Sequence, residues 1–273
     1  MSAATYTAAQ LVRAMPRVHL SRVVGRLCEQ SLPAPVARAL TVAYARAYGI
    51  DLGEAAPQSG PYRTFDAFFT RPLRPGARVV EDVPLVSPAD GKLDAVGTVL
   101  PGAVLEVKGK PYEVGELVGN RKDATGYAGG SFALIYLSPR DYHRVHSPVD
   151  GAITVVRSIA GDLFPVNAIG ERFPRLLVRN HRVAIAIDTE SLGRVTVVMV
   201  GAMVVGRISV TALGGRAVPV GTHAVSPASS VQRGDELGMF HLGSTVVVLL
   251  EPGLSITRAL GTVRYGEALV KAA

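Results

Sequence analysis

Residues 240–253 read FHLGSTVVVLLEPG, and residues 246–250 within it, VVVLL, form a continuous apolar run. Such a run predicts a buried strand, because Val and Leu pack well on a pleated surface and the Pro-Gly pair marks a turn. A glycine and two small hydroxyl residues stand at its start. The step from Gly243 to Ser244 is therefore either ordinary turn chemistry or the place of a nucleophile whose preceding carbonyl is unhindered.

The chain carries further short runs of this kind from about residue 80 onward. SFALIYL (131–137), RVAIAID (182–188) and RVTVVMV (194–200) are bounded by Gly, Pro or Asp, and the last two are close enough for a hairpin. Many short strands without helical periodicity predict an α+β protein that is mainly β, with an antiparallel sandwich or barrel-like body.

Two segments resemble each other. VSPADGKLDAVG (86–97) and HSPVDGAITVVR (146–157) share Ser-Pro-x-Asp-Gly before a strand pattern, and AVSPASSVQRGDELG (224–238) repeats it without the Asp-Gly. We predict an internal duplication of a unit like the biotinyl and lipoyl carrier domains. The alternative is that Ser-Pro-x-Asp-Gly is simply a favourable turn sequence.

The N-terminal part differs from this body. Residues 6–56 show helical periodicity broken by Pro16, Pro33 and Pro35, and residues 1–75 hold nine arginines against four acidic residues. We predict that 1–75 is an amphipathic, arginine-rich helical region suited to membrane association and that 76–273 is a β-rich domain, which would hold any catalytic residues. The alternative for 1–75 is an ordinary helical cap with a solvated arginine face.

Composition restricts the class of protein. The 273 residues are 48% hydrophobic, which allows a sizeable core, and the single cysteine, Cys28, excludes a disulfide framework and a cysteine-rich zinc site. The formal net charge of +7 calls for an acidic partner such as nucleic acid, an anionic membrane or an anionic substrate. No apolar stretch reaches the roughly 20 residues of a spanning helix, and no signal peptide is recognisable.

Reactive side chains concentrate in three places. Asp90 lies in a Ser-Pro-x-Asp-Gly turn, His143 and His146 lie in PRDYHRVHSP (139–148), and Ser244 follows a glycine. A serine, a histidine and an aspartate from separate segments can form an activated hydroxyl. The two histidines with a carboxylate could instead hold zinc, but we expect no metal.

Together these motifs resemble the bacterial phosphatidylserine decarboxylases, which are pyruvoyl-dependent and membrane-associated. The resemblance covers nearly the whole chain. It is carried by YRTFDAFFTRPLRPG (62–76), SPADG (87–91), VKGKPY (107–112), SPRDYHRVHSPVDG (138–151), GDLFPVN (161–167), VGAMVVG (200–206) and GDELGMFHLGSTV (234–246).

The resemblance implies a proenzyme that cuts itself between Gly243 and Ser244 into a long chain, 1–243, and a short chain, 244–273. His146, oriented by Asp90, would be the base for the Ser244 hydroxyl. Ser244 would become a pyruvoyl group that forms a Schiff base with the substrate amine and withdraws electrons as CO₂ leaves. His143 would then supply the proton.

The resemblance also implies partners and a location. The substrate would be phosphatidylserine and the product phosphatidylethanolamine, on an anionic membrane surface at the cytoplasmic side of the inner membrane. A homodimer is compatible with the family, and nucleic acid is not expected as a partner. Two other functions stay open from the residues alone: a non-catalytic carrier-type β-sandwich binding module, and a serine or zinc hydrolase.

Overall fold

The structure is a computed structural model of the chain. It describes residues 16–165, 175–203, 207–215, 217–219, 221–242 and 244–271, with the backbone alone for Ser244. Two predictions therefore lie partly outside the described residues. These are Gly243 at the predicted cleavage point and the first 15 residues of the predicted N-terminal region.

The described N-terminal part is helical, as predicted. The α-helices are α1 (Arg17–Cys28), α2 (Ala34–Tyr48), α3 (Phe65–Phe69), α4 (Val114–Val118), α5 (Arg121–Ala124) and α6 (Leu176–Arg179), with 3₁₀ turns at Leu52–Glu54, Thr125–Tyr127 and Thr211–Leu213. Pro16 and Pro33 occupy the N-cap positions of α1 and α2, where a missing N–H costs least. Within the described ranges, every helix is too short or too polar to cross a bilayer.

Most of the remaining chain is β-strand. The strands are β1 (Gly91–Thr98), β2 (Val104–Val107), β3 (Lys110–Glu113), β4 (Ser131–Leu137), β5 (Arg144–His146), β6 (Gly151–Ile159), β7 (Arg182–Asp188), β8 (Arg194–Val200), β9 (Ile208–Val210), β10 (His223–Val225), β11 (Ser229–Val231), β12 (Glu236–Phe240), β13 (Ser244–Leu250) and β14 (Gly261–Val263). The strands predicted at 131–137, 182–188 and 194–200 are confirmed, and β7 pairs with β8 as predicted.

The strands form one large antiparallel sheet and two small ones. The large sheet runs β10-β6-β7-β8-β13-β4-β1-β14, with β11 also paired to β6; β5-β12-β9 and β2-β3 are separate. The barrel-like part of the prediction is wrong for the described strands, because the two ends of the large sheet do not pair with each other. The mainly antiparallel β architecture is confirmed.

Both faces of the large sheet are buried, which explains the unbroken apolar run in β13. Val246, Val248 and Leu250 pack on the face covered by β5-β12-β9, while Val247 and Leu249 pack on the face covered by the β2-β3 hairpin and α4. All five side chains are 0% exposed. Burying these five side chains contributes at most about 10 kcal/mol to the free energy that holds β13 in the sheet.

The two Ser-Pro-x-Asp-Gly turns, 87–91 and 147–151, have the same hydrogen bonds. In each turn the serine hydroxyl donates to the carbonyl two residues further on, at 2.8 Å in the first and 2.7 Å in the second. In each turn the aspartate accepts a distant backbone N–H, from Tyr265 at 2.9 Å and from Arg233 at 2.8 Å. The sequence similarity therefore corresponds to one local structure.

The strands that follow these turns also pair alike. The register of β1 against β4, and of β6 against β7, shifts two residues after the glycine that begins each strand. On the other side, Gly91 lies opposite Val263 of β14, and Gly151 lies opposite Val231 of β11. Since β8 and β13 pair with each other in the centre, the order β11-β6-β7-β8 matches the order β14-β1-β4-β13.

Candidate active site

Ser244 begins β13 at one end of the large sheet. It pairs with Leu137, the last residue of β4, and β4 pairs on its other side with β1. β1 begins at Gly91, directly after Asp90. Because neighbouring strands lie about 4.8 Å apart, the backbones of Asp90 and Ser244 are about 10 Å apart along this end of the sheet.

The two predicted histidines come from the segment that follows β4. His143 precedes β5, and His146 is its last residue. β5 pairs with β12, the strand that leads towards Ser244, and the N–H of Phe240 donates to the carbonyl of His143 at 3.0 Å. The fold therefore places the segments that carry Asp90, both histidines and Ser244 at the same end of the sheet.

Asp90 is held by an arginine that the sequence analysis missed. Arg78 donates from Nε to both carboxylate oxygens at 3.2 and 3.1 Å and from Nη2 at 2.6 Å. The same Nη2 donates to Glu54 at 2.8 Å. The side chains of Arg78 and Asp90 are only 6% and 9% exposed. This buried, bidentate pair fixes the orientation of the Asp90 carboxylate.

His146 is buried and neutral, and one of its ring nitrogens has a lone pair. Its Nδ1 lies 2.7 Å from the carbonyl of Gly234, which can only accept, so that Nδ1 carries the proton. Its Nε2 then has a lone pair and lies 3.3 Å from the hydroxyl of Tyr142. Burial lowers the pKa of His146, although the Gly234 carbonyl and the charge of Asp90 raise it. The ring can therefore act as a base.

Asp90 does not orient His146 through a direct hydrogen bond between their described side chains. Tyr265 connects them instead. Its N–H donates to Asp90 at 2.9 Å, and its ring stacks on the imidazole of His146 at 3.9 Å with an interplanar angle of 7°. Asp90 acts on His146 as a nearby negative charge, because it raises the pKa of that ring.

His143 is 0% exposed, and its Nε2 is one of the few buried polar atoms without a partner among the described residues. Its Nδ1 lies 2.8 Å from the carbonyl of Asp141, and its ring lies 4.1 Å from that of Phe69. Burial lowers the pKa of His143 to about 3, and the charge of Arg71 also lowers it. A neutral ring with a lone pair on Nε2 must accept a proton before it can donate one.

The residue before Gly243 has an unusual backbone. Leu242 has φ 99°, a region that residues with a side chain rarely adopt, and it is 7% exposed. Its side chain packs in a small apolar cluster with Phe69 and Ala202. Packing therefore holds a strained residue immediately before the predicted cleavage point.

Charged side chains also hold His241, the residue before Leu242. Nδ1 of His241 lies 2.9 Å from Asp66 and 2.8 Å from the guanidinium of Arg207, which also pairs with Asp66 at 3.0 Å and with Glu29. Asp66 belongs to α3 and Glu29 follows α1. This network attaches the N-terminal helices to the segment that precedes Ser244.

Sequence reasoning missed Arg78 and Tyr265, which contact Asp90, and the network around Asp66. Arg78 is one of many arginines, and its spacing from Asp90 follows no motif, so that no sequence signal singled it out.

The His-x-x-His pair was considered for zinc. Among the described residues, no three His, Cys, Asp or Glu side chains lie close enough together to hold a metal ion.

Comparison with known proteins identifies the family. A model of the family described as phosphatidylserine decarboxylase matches residues 65–271. A phosphatidylserine decarboxylase proenzyme from Acinetobacter baylyi is 43% identical over 242 residues, 87% of this chain and 84% of the relative. One from Anaeromyxobacter sp. is 42% identical over 277 residues, 96% of this chain and 97% of the relative, and one from Myxococcus xanthus is 41% identical over 251 residues, 89% of each. The chain belongs to the phosphatidylserine decarboxylase family.

Proposed function

We propose that this chain is a proenzyme that cuts itself between Gly243 and Ser244 and then, as two chains, converts phosphatidylserine to phosphatidylethanolamine and CO₂. The observation that carries the proposal is the convergence of Asp90, His146, His143 and the start of β13 at one end of the sheet. The decarboxylase activity itself follows from family membership.

Self-cleavage starts with the removal of a proton from the Ser244 hydroxyl. His146 is the base, because its neutral ring has a lone pair at Nε2. The negative charge of Asp90 stabilises the imidazolium that forms. The hydroxyl oxygen then replaces the amide nitrogen on the Gly243 carbonyl, and elimination of the Gly243 carboxylate separates the chains. Elimination leaves a dehydroalanine at residue 244, which rearranges to an imine; water hydrolyses this imine, so that ammonia leaves and the oxygen of the water becomes the carbonyl oxygen of a pyruvoyl group. Strain at Leu242 favours the reaction, because cutting releases it.

The short chain, 244–273, stays in place after the cut. Ser244–Leu250 pair with β4 on one side, and residues 245–250 pair with β8 on the other. The buried side chains 246–250 hold the strand in the core. The long chain, 1–243, keeps Asp90 and both histidines.

A pyruvoyl group bound to the substrate amine acts as an electron sink for the carbon that loses CO₂. His143 suits a site for such chemistry, because its buried Nε2 lacks a partner among the described residues. The substrate ammonium must lose a proton before its nitrogen can form a bond, and His143 can accept that proton once the negative charge of the bound substrate favours the imidazolium. The imidazolium then returns a proton to the carbon after CO₂ has left. Phe69, packed on the ring, excludes water.

The N-terminal helices provide the membrane contact in this proposal. Exposed apolar side chains lie on α1 and α2: Leu20, Val23, Leu27, Val36 and Leu40. Exposed arginines lie on the same two helices, and such a mixture suits an anionic lipid surface. Residues 1–75 would therefore rest on the cytoplasmic side of the inner membrane, with 76–273 as the catalytic domain. The homodimer stays a prediction.

We also propose that the sheet arose by internal duplication. The matching turns at 87–91 and 147–151, their matching register shifts and the matching strand orders support this origin. Asp150 occupies the place of Asp90 in the other half and accepts the same kind of backbone hydrogen bond. The two aspartates differ in their arginine contacts: Arg78 donates to both oxygens of Asp90, whereas Arg233 lies 3.9 Å from Asp150.

This equivalence supplies a matched control for the main experiment. The wild-type chain is examined by denaturing electrophoresis and mass spectrometry, together with Ser244→Ala, Asp90→Asn, His146→Ala and Asp150→Asn. We expect wild type and Asp150→Asn to give two fragments, the smaller one blocked by a pyruvoyl group, and the other variants to stay whole or to be cut much more slowly. An intact wild-type chain with an unmodified serine would refute the proposal and favour a binding module or a hydrolase.

His143 is tested separately, because its role follows the cut. We expect His143→Ala to be cut normally and to release CO₂ from phosphatidylserine much more slowly than wild type. Mass spectrometry first measures the fraction of each protein that carries the pyruvoyl group. The rates of CO₂ release are then compared per molecule with that group. Normal CO₂ release by His143→Ala would show that another group moves the proton.

A further inference from the structure

A basic cavity of about 300 Å³ lies between α1 and the large sheet. It is at the end of the sheet where β13 begins with Ser244. Its walls include Arg22 and Arg26 from α1, and Gly161, His181 and His241 from the body. Neither the carboxylate of Asp90 nor the two catalytic histidines of the proposed mechanism contribute to it. The cavity is therefore a separate compartment beside the reacting end of β13.

The cavity is close to the predicted cleavage point. His241 precedes Ser244 by three residues. His181 directly precedes β7, and its carbonyl accepts the N–H of Gly201, which follows β8. Since β8 pairs with β13, His181 and Ser244 are two strand spacings apart, about 10 Å.

The charges around the cavity are unbalanced. Arg22 and Arg26 lie one turn apart on α1, and among the described residues neither guanidinium has an ion pair or hydrogen bond. Arg207 also lines the cavity, but it pairs with Glu29 and with Asp66, so its charge is balanced. The guanidiniums of Arg22 and Arg26 are the unbalanced charges, and they make the cavity attractive to an anion.

A buried polar atom points to a ligand as well. His181 is 1% exposed, and its Nδ1 lies 3.1 Å from the carbonyl of Ile159. Its Nε2 has no partner among the described residues. A Cβ at Gly161 would overlap the backbone of Asn180 and His181, so only glycine lets this part of the wall approach the histidine. Once protonated beside a bound anion, Nε2 of His181 can donate to it.

We propose that this cavity binds the phosphodiester of the phospholipid headgroup. This inference rests on the proposed function, and it assigns a binding site that the catalytic residues do not provide. The phosphorus of a serine phosphodiester is three bonds from the carbon that reacts, about 4 Å away, so that the phosphate must lie near residue 244. The cavity satisfies this requirement.

The substrate carboxylate is the other anion that a basic cavity could hold, and the reaction argues against it. The carboxylate must leave as neutral CO₂, and arginines that bind its charge would stabilise the ground state more than the transition state. The phosphodiester keeps its charge throughout the reaction. Binding it in the cavity anchors the headgroup without opposing the loss of CO₂.

The experiment measures binding without a membrane and without turnover. The uncut Ser244→Ala chain is titrated calorimetrically with glycerophosphoserine, with free serine and with inorganic phosphate. Arg22→Ala/Arg26→Ala is compared with Arg38→Ala/Arg46→Ala, a pair of exposed α2 arginines that matches the change in net charge. We expect glycerophosphoserine to bind, and the first double variant to lose at least about tenfold in affinity while the second stays within about twofold.

Three results would overturn the inference. Equal losses in both double variants would show general electrostatic attraction. Equal affinity for free serine would show that the phosphodiester is not recognised. Equal affinity for inorganic phosphate would show a site for free phosphate rather than for a lipid headgroup.

The outcome is separable from that of the proposed function. Electrophoresis of the wild-type and Arg22→Ala/Arg26→Ala chains, both with Ser244 intact, measures self-cleavage independently, and we expect both to be cut. Binding of glycerophosphoserine by a chain that never cuts itself would support the cavity and refute the proposed function. Normal cutting and CO₂ release without phosphodiester binding would refute the cavity alone.

Discussion

Replacing Arg78 tests whether this residue positions Asp90. Arg78→Ala removes three hydrogen bonds to the Asp90 carboxylate and one to Glu54. Among the described residues, Asp90 then keeps only the N–H of Tyr265 as a hydrogen-bond donor. Breaking a buried ion pair costs about 3–5 kcal/mol, and we expect about 3 kcal/mol because Glu54 is 24% exposed and water can reach it.

The stability assay uses the Ser244→Ala background, so that cutting does not complicate the unfolding curve. A loss of about 3 kcal/mol lowers the melting temperature of a chain of this size by roughly 6–12 °C. Arg74→Ala is the control, since Arg74 lies in the same loop and is exposed. We expect that variant to melt within about 1 °C of the background.

Self-cleavage supplies a second measurement, made with Ser244 intact. An Asp90 carboxylate without its guanidinium is free to rotate, and we expect Arg78→Ala to be cut at least about tenfold more slowly, equivalent to about 1.4 kcal/mol on the barrier. Arg78→Lys keeps the charge but cannot contact both oxygens of Asp90 and Glu54 together, and should lie between wild type and Arg78→Ala. Equal melting and cutting in Arg78→Ala and Arg74→Ala would refute the reasoning.

Three further predictions concern stability. Gly91→Ala would place a Cβ 2.5 Å from a backbone oxygen of β4 and should lower the free energy of unfolding by about 2 kcal/mol. Gly102→Ala is the control for steric overlap, because a Cβ at Gly102 would have no neighbouring atom within 4 Å. Val247→Ala should cost about 2 kcal/mol by leaving a cavity, and in the cut protein the short chain should dissociate at lower denaturant concentration than in wild type. The hydrogen bond from Arg78 lowers the pKa of Glu54, so its stabilisation is complete above the unfolded pKa and is lost as pH falls through the folded one. The melting temperatures of wild type and Glu54→Gln should therefore begin to converge as pH falls below about 4.5 and continue to converge at lower pH. A difference that stays constant as pH falls further would contradict this prediction.

Local patterns in the sequence determine much of the secondary structure. The runs at 131–137, 182–188 and 194–200 became strands because each is apolar, β-branched and bounded by turn residues. Pro33 marks the start of α2, because proline lacks the N–H that a helix interior needs. Such effects act over a few residues, and a sequence pattern records them directly.

The same holds for the candidate reactive residues. Asp90, His143, His146 and Ser244 could be named from their motifs and their order along the chain. Their segments converge because β1, β4 and β13 are neighbours in the sheet.

Only the tertiary structure decides the partners of these residues. Arg78 reaches Asp90, and Tyr265 stacks on His146, because distant segments fold against the same turn. Burial also makes His143 neutral, since an imidazolium without water or a counter-ion is unfavourable. The predicted proton donor is therefore an acceptor first.

The arrangement of strands is likewise a long-range result. The similar turns at 87–91 and 147–151 were visible in the sequence, but the central pairing of β8 with β13 was not. Strand pairing depends on which apolar faces can be buried together across the whole chain, and neighbouring residues do not encode that choice. Local residue patterns therefore indicate the main strands, the turns and the reactive residue types. The open sheet and the charges that act on Asp90 and His146 depend on contacts between segments far apart in the chain, which local patterns do not record.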